Sequence, residues 1–320
     1  MRVLVTGATG VIGVEVVRQL LERGDDVVAT GRNLASGPLS LLDGEFQRHA
    51  ADIRDSARMR SLIESSRAEA LIHLAASLPA SAEADPVGAA ELNILATATL
   101  FELAAGAGVE RFIYASSKSA YGPLPQGAVV DEHYLARPTS CYGATKLAAE
   151  IAIGAQALRG GPEASALRFA TIYAPGKADR HAGASVLSRL LDDAVAGRPV
   201  RISSGGDQVD DMIWIGDAAA GVLAATHAPD TLAPLYNISS GVGITLSGFA
   251  DGVREALPDA LIEVGPGLDY MGPGFVYGVL DPTLARDQLG FIADADPASG
   301  ARRFAAAIAS HPTRTDIKLY

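Results

Sequence analysis

Close to its start the chain reads Val3-Leu4-Val5-Thr6-Gly7-Ala8-Thr9-Gly10-Val11-Ile12-Gly13. An apolar, β-rich run is followed by three glycines at intervals of three, and then by a pattern in which Ile12, Val16, Val17 and Leu20 fall on one helical face. Few folds accept that order. It asks for a tight reversal at Gly7, a side-chain-free approach at Gly10 and close helix-to-strand contact at Gly13, and it aims the free N–H groups of the helix start at an anion. The strand-turn-helix order therefore predicts a pyrophosphate cradle, and with it a dinucleotide site, formed by Gly7, Thr9, Gly10, Val11, Ile12 and Gly13.

The rhythm of the first half agrees. Short β-rich runs at about 2–6, 26–30, 46–49, 70–74, 111–116 and 164–169 alternate with helical stretches, as expected when crossover helices join parallel strands. The expected fold class is α/β: a Rossmann-type doubly wound parallel sheet with a smaller C-terminal α/β substrate lobe. Residues 1–175 form the dinucleotide domain in this reading. Residues 176–320 form mainly the smaller lobe, with some segments returning to the main sheet, and loops are expected around 264–278 and 312–320. The helices expected at 89–105 and 142–158 are rich in Ala and Leu with few charges, which suits either burial within the monomer or a helix-on-helix homodimer.

Composition narrows the partners. A formal net charge of -11 and a sequence pI near 5.0 argue against nucleic acid and against an anionic membrane surface, and favour a small-molecule substrate. The single cysteine, Cys141, excludes an intrachain disulfide and a multi-cysteine metal site, and it fits a reducing, cytoplasmic setting. Six scattered histidines give no metal site. Neither a leader peptide nor an uninterrupted apolar run of about 18 residues is apparent, so no membrane span is expected.

The end of the second strand bears on which dinucleotide fits. A carboxylate there accepts hydrogen bonds from the ribose hydroxyls and repels a 2′-phosphate, whereas a small residue followed by arginine leaves room and supplies a cation. The chain has Gly31-Arg32-Asn33 at that place, with Asp25 and Asp26 at the strand's other end. NADP is therefore favoured over NAD, with Arg32 in the site.

Chemistry comes from two later segments. Ile113-Tyr114-Ala115-Ser116-Ser117-Lys118-Ser119-Ala120-Tyr121-Gly122 follows the fifth strand, and Tyr142-Gly143-Ala144-Thr145-Lys146 opens a helix. Residues four apart share a helical face, so Tyr142 and Lys146 point at one pocket, where a nearby ammonium is expected to lower the pKa of the phenol. Tyr142 then serves as acid or base, and Ser117 holds the substrate oxygen whose proton moves while hydride passes to or from a nicotinamide.

These segments together resemble the extended short-chain dehydrogenase/reductase family, of the NAD(P)-dependent epimerase/dehydratase type. The resemblance runs over nearly the whole chain. It implies that Asp52 and Ile53, in Ala51-Asp52-Ile53-Arg54-Asp55, contact the adenine, and that Leu74, Ala75 and Ala76, after His73, lie along the cofactor. It gives Asn93 to the catalytic set as the helix asparagine that supports the lysine through water, matches Ser117 to the family's Ser/Thr by its spacing from Gly122, and places Ile172 beside the nicotinamide. Trp214-Ile215-Gly216-Asp217 and Ala285-Arg286-Asp287-Gln288-Leu289-Gly290-Phe291 resemble the family's late landmarks.

Two departures bear on substrate. Nucleotide-sugar members carry an arginine that grips the diphosphate seven residues before the late Asp; here that position is Asp210, followed by Asp211, and a carboxylate is expected to repel a diphosphate. The 4,6-dehydratases carry an acidic pair after the Ser/Thr; here stand Lys118 and Ser119. The expectation is an NAD(P)-dependent oxidoreductase acting on a small sugar-like, polyol or hydroxy-acid substrate, with Ser117, Ser119, His133 and Arg180 as substrate contacts. One alternative is an NAD-dependent nucleotide-sugar 4-epimerase that takes its arginine from Arg180, Arg189 or Arg201. Another is a non-catalytic dinucleotide sensor that binds a protein partner.

Overall fold

A computed structural model describes residues 1–34, 37–179, 185–272 and 275–310. Seven strands form the main sheet: β1 (Arg2–Thr6), β2 (Asp26–Gly31), β3 (Gln47–Ala50), β4 (Ala70–His73), β5 (Arg111–Ser117), β6 (Glu163–Phe169) and β7 (Leu235–Ile238). Their spatial order is β7-β6-β5-β4-β1-β2-β3, and every pair is parallel. The chain winds outward from β1 in both directions. The crevice between β1 and β4 is thus the topological switch point, where ligands of such sheets bind beyond the strands' carboxyl ends.

Strand β1 shows why a central parallel strand reads as an unbroken apolar run. Val3 and Val5 face one hydrophobic cluster together with Val27, Ala29, Ile72 and Ile113, whereas Leu4 faces the other with Val28, Leu71, Phe112 and Tyr114. The first cluster is covered by α1 (Val11–Arg23) and by the helix Ile215–Thr226, which pack on one another. The second is covered by α2 (Ser56–Ser66), α3 (Pro86–Gly106) and α4 (Cys141–Ala157). Helix α3 is long and apolar enough by composition to cross a membrane, yet its Ala96, Thr97, Leu100, Phe101, Leu103 and Ala104 are buried on the sheet. A π-helical turn, Glu91–Leu95, interrupts it and re-aims Asn93 inward.

Strand β7, from the second half of the chain, extends the main sheet beside β6. The remaining strands are mostly short: Thr171–Tyr173 pairs with Val209–Trp214, which also pairs with Gly243–Thr245, Val200–Ile202 pairs with Ile262–Val264, and Val129–Val130 pairs with Val279–Leu280. Of these strands, Thr171–Tyr173 reaches the cleft, with Thr171 and Ile172 in its lining.

Candidate active site

Sterics make the glycine turn obligatory. Gly7 has φ of 69°, and a Cβ there would lie 2.5 Å from the Ala75 backbone nitrogen; a Cβ at Gly13 would lie 2.2 Å from the Gly7 carbonyl oxygen. Gly10 is the N-cap of α1 and offers no side-chain oxygen, so the first-turn N–H groups of the helix are left to whatever enters above them. This cradle opens into a cleft of about 600 Å³ lined by Gly7, Thr9, Gly10, Val11, Ile12 and Gly13. Arg32, Asp52, Ile53, Leu74, Ala75, Ala76 and Ile172 line it too. The residues fit a dinucleotide: a close backbone approach for the pyrophosphate, and a rim of Gly31, Arg32 and Asp52 for the adenosine end. The Asp52 carboxyl accepts two guanidinium bonds from Arg54, at 3.0 and 2.7 Å, which hold its pKa down to about 2.

At the other end, Ser117 and Tyr142 line the same cleft. Helix α4 starts where it does because Ser140 Oγ accepts the Gly143 N–H at 3.1 Å and the Glu83 carboxylate accepts the Cys141 N–H at 2.7 Å. Gly143 is fixed as glycine, since a Cβ there would lie 2.3 Å from the Ser119 carbonyl. That contact seats the helix start against the turn that carries Ser117, which brings the Ser117 hydroxyl near enough to the Tyr142 phenol to favour its ionised form. Lys146, one turn on, is buried behind the phenol with its Nζ 5.7 Å from the Tyr142 ring centre and 4.8 Å from that of Tyr114.

The electrostatics differ from the expectation. Burial pushes the Tyr142 phenol up to about 12, against a lowering by the Ser117 hydrogen bond, and burial brings the Lys146 amine down to about 7, against the pull of Glu150. The amine donates to the Ala115 carbonyl at 2.7 Å, not to the phenol. Desolvation outweighs the charge of the neighbour, so at neutral pH Tyr142 holds its proton. Behind Lys146, Glu150 accepts from Ser116 Oγ and from both Arg168 Nε at 3.0 Å and Arg168 Nη2 at 2.6 Å, a buried network that fixes α4 on β5 and β6.

Asn93 bonds elsewhere than at the lysine. Its Nδ2 donates to Thr145 Oγ1 at 2.9 Å and to the Ser77 carbonyl at 3.2 Å, and its Oδ1 accepts the Ser77 N–H at 2.7 Å. It thereby ties the segment after β4 to α4 at the residue before Lys146. His73 is fully buried between Thr6 Oγ1 at 2.6 Å and Thr97 Oγ1 at 2.9 Å, and burial keeps it neutral, with a pKa near 3.

Asp210 does not behave as expected. It is completely buried, ion-paired with Lys118, and accepts from Thr171 Oγ1 at 2.6 Å, Tyr270 Oη at 3.1 Å and the Gly278 N–H at 3.2 Å. Its charge is spent inside the wall and repels nothing in the cleft. Asp211 likewise turns inward, to Ser240 and to the Leu280 N–H. The expected argument against a diphosphate-bearing substrate therefore fails on geometry.

Of the expected substrate contacts, Ser117 and Ser119 line the cleft. His133 does not: it is exposed in a turn where its N–H donates to the Asp131 carboxylate at 3.0 Å, while its neighbour Glu132 accepts the Asn237 N–H and draws that turn onto β7. Arg180 lies outside the described residues. Lining residues that the sequence reading did not assign include Thr171, Lys177, Met271, Phe275 and Val276. The last three belong to the loop expected at 264–278, where no periodicity signals a site and the only hint is aromatic and apolar residues among glycines.

A cradle for a pyrophosphate facing a Ser-Tyr-Lys constellation defines a nicotinamide-dependent enzyme that moves a proton and a hydride at one carbon. Residues 3–239 match the NAD dependent epimerase/dehydratase family. The chain belongs to that family, and its cofactor is a nicotinamide dinucleotide. It is 30% identical to the UDP-glucose 4-epimerase of Mycolicibacterium smegmatis over 76% of this chain and 78% of that protein. In structure it is similar to the UDP-glucose 4-epimerase of Thermotoga maritima with UDP-glucose, at 26% identity and a TM-score of 0.84 over 98% of this chain and all of that one. The UDP-glucose 4-epimerase of Thermus thermophilus in complex with NAD gives 28% identity and 0.81 over 96% and 98%.

Proposed function

We propose that this protein is a nucleotide-sugar 4-epimerase, which inverts one hydroxyl-bearing carbon of a sugar. The observation that carries this reading is the sealed Lys118–Asp210 pair: with that carboxylate neutralised in the wall, the cleft beside Ser117 and Tyr142 presents no charge barrier to a diphosphate. The likeness to UDP-glucose 4-epimerases supports the same choice over net oxidation of a small substrate. A bound nicotinamide dinucleotide supplies the hydride acceptor and donor. The chain's own part is to bind and to move the proton: Ser117 Oγ orients the reacting oxygen, Tyr142 Oη gives its proton to a reacting carbonyl oxygen in its neutral form, and it accepts the hydroxyl proton only once ionised, which the positive ring of a bound oxidised nicotinamide and the Lys146 amine behind the phenol would favour. Asn93 acts as a positioning residue through Thr145. The test is incubation of the purified protein with UDP-glucose and the dinucleotide. Appearance of UDP-galactose without net reduced cofactor is the expected result; reduced cofactor accumulating with no epimer overturns it.

Net hydride transfer on a small sugar-like, polyol or hydroxy-acid substrate is the second reading. It is favoured by the lack of a guanidinium at position 210, where the resemblance expects one. For the cofactor, the rim of β2 supports NADP, since Gly31 leaves room and Arg32 supplies the cation, while the Thermus relative is a complex with NAD. We further propose that the first 175 residues, with β7, hold the dinucleotide and the later lobe holds the substrate. A homodimer through α3 and α4 is supported by Val87, Leu95, Ile151 and Leu158, which are 71%, 63%, 63% and 91% exposed on or beside those two helices. Light scattering at micromolar concentration tests it, and a monomer refutes it. The lone Cys141, a free thiol, supports a reducing cytoplasmic setting.

A further inference from the structure

Among the described residues three cations line the cleft: Arg32, Lys118 and Lys177. Arg32 stands at the adenosine rim, and the charge of Lys118 is consumed by Asp210. Lys177 follows the strand Thr171–Tyr173, in the turn Lys177–Asp179, and its Nζ donates to the Ile172 carbonyl at 2.6 Å. Among the described residues it meets no carboxylate, although the chain carries a formal charge of -11. One of the three ammonium donors is used on Ile172, and among the described residues no partner takes the other two. We propose that Lys177 receives the anionic group of the substrate, replacing the arginine that position 210 lacks.

The location limits what that group is. Lys177 donates to the carbonyl of Ile172 and lines the cleft with Ser117, Lys118 and Thr171, which puts it toward the Ser117–Tyr142 end and not at the adenosine rim of Arg32 and Asp52. An anion attached within a few bonds of that carbon meets it: the sugar-linked phosphate of a nucleotide sugar, or the carboxylate of a sugar acid. Burial, and to a lesser extent the Lys118 ammonium despite its pairing with Asp210, bring the Lys177 amine down to about 8, and an arriving anion counters that lowering by favouring the charged form. The inference rests on the cleft being the substrate site and holds for either reading of the reaction.

The experiment titrates the dinucleotide-loaded protein calorimetrically with two probes, UDP and glucuronate, in wild type, Lys177→Met, Lys177→Gln and Lys177→Arg. Loss of a charge-assisted hydrogen bond predicts about a 10- to 100-fold weaker anion in the Met and Gln variants and near-recovery in Arg, with dinucleotide affinity unchanged and a Tm lowered in Met, which also strips the Ile172 carbonyl of its donor, more than in Gln. Loss confined to UDP identifies the phosphate and loss confined to glucuronate identifies a sugar carboxylate, and either sustains Lys177; a wild-type protein that binds glucuronate and not UDP overturns the nucleotide-sugar reading while sustaining Lys177. Wild-type affinity for both probes in Met and Gln overturns the role of Lys177, as does a wild-type protein that binds neither.

Discussion

The end of the cleft above β1 is built from backbone, and the end beside residues 171–177 is built from side chains that meet across the chain. At the first, Gly7, Gly10 and Gly13 let the backbone approach closely and leave the first-turn N–H groups of α1 open to a ligand. At the second, the wall depends on a pair 92 residues apart, Lys118 and Asp210, and on Met271, Phe275 and Val276 from late in the chain. A backbone site is specified by what must be missing. A side-chain site is specified by which partners find each other, so the same residue type changes meaning with its neighbour: Asp210 reads as a repelling charge alone and is a sealed one in company.

Four changes test that contrast. The largest effect belongs to Tyr142→Phe, which removes the proton carrier and leaves the cradle intact: turnover falls about 10²- to 10⁴-fold while dinucleotide affinity stays put. Full turnover in this variant would remove the phenol from the chemistry. Next is Lys118→Met, which strands a buried carboxylate and costs about 3–5 kcal/mol in urea unfolding; the double change with Asp210→Leu should recover most of that, because an unpaired buried charge is worse than none. A double variant no more stable than the single would mean that the wall is held by something else.

Gly13→Ala comes third. Its Cβ needs the Gly7 carbonyl to move from 2.2 Å, so a stability loss of about 1–3 kcal/mol and weakened dinucleotide binding are expected. Wild-type dinucleotide affinity would break the claim that backbone approach makes this end. The smallest effect is Arg32→Ala, an exposed cation, for which NADP affinity should fall about three- to five-fold with NAD unaltered. Equal loss for both dinucleotides would assign Arg32 to general charge and not to the 2′-phosphate.

What was legible in the sequence follows the same divide. The six early strands and the helices after β1 and at 141–157 are local: apolar runs, glycine spacing and helical period fix them, and the Tyr142–Lys146 spacing fixes a shared face. Strand β7 was not placed, because four residues, Leu235–Ile238, carry no period long enough to separate a sheet strand from lobe structure. The direction of the Tyr142 shift was missed because burial is a property of the packed cleft, and no spacing reports it. His133 was placed by its position between two motifs, while its turn is held by Asp131 and by the contact of Glu132 with β7.

The Lys118–Asp210 contact also constrains how such a chain can change over generations. An arginine introduced at 210 would face the lysine at 118 in the dry interior, two positive groups with Thr171 and Tyr270 left over, and the fold would suffer before any new ligand could compensate. A path to an arginine-bearing relative must alter both positions nearly at once or pass through a neutral residue at 118. One ion pair in a wall thus acts as a ratchet, holding a lineage to the substrate geometry it already has.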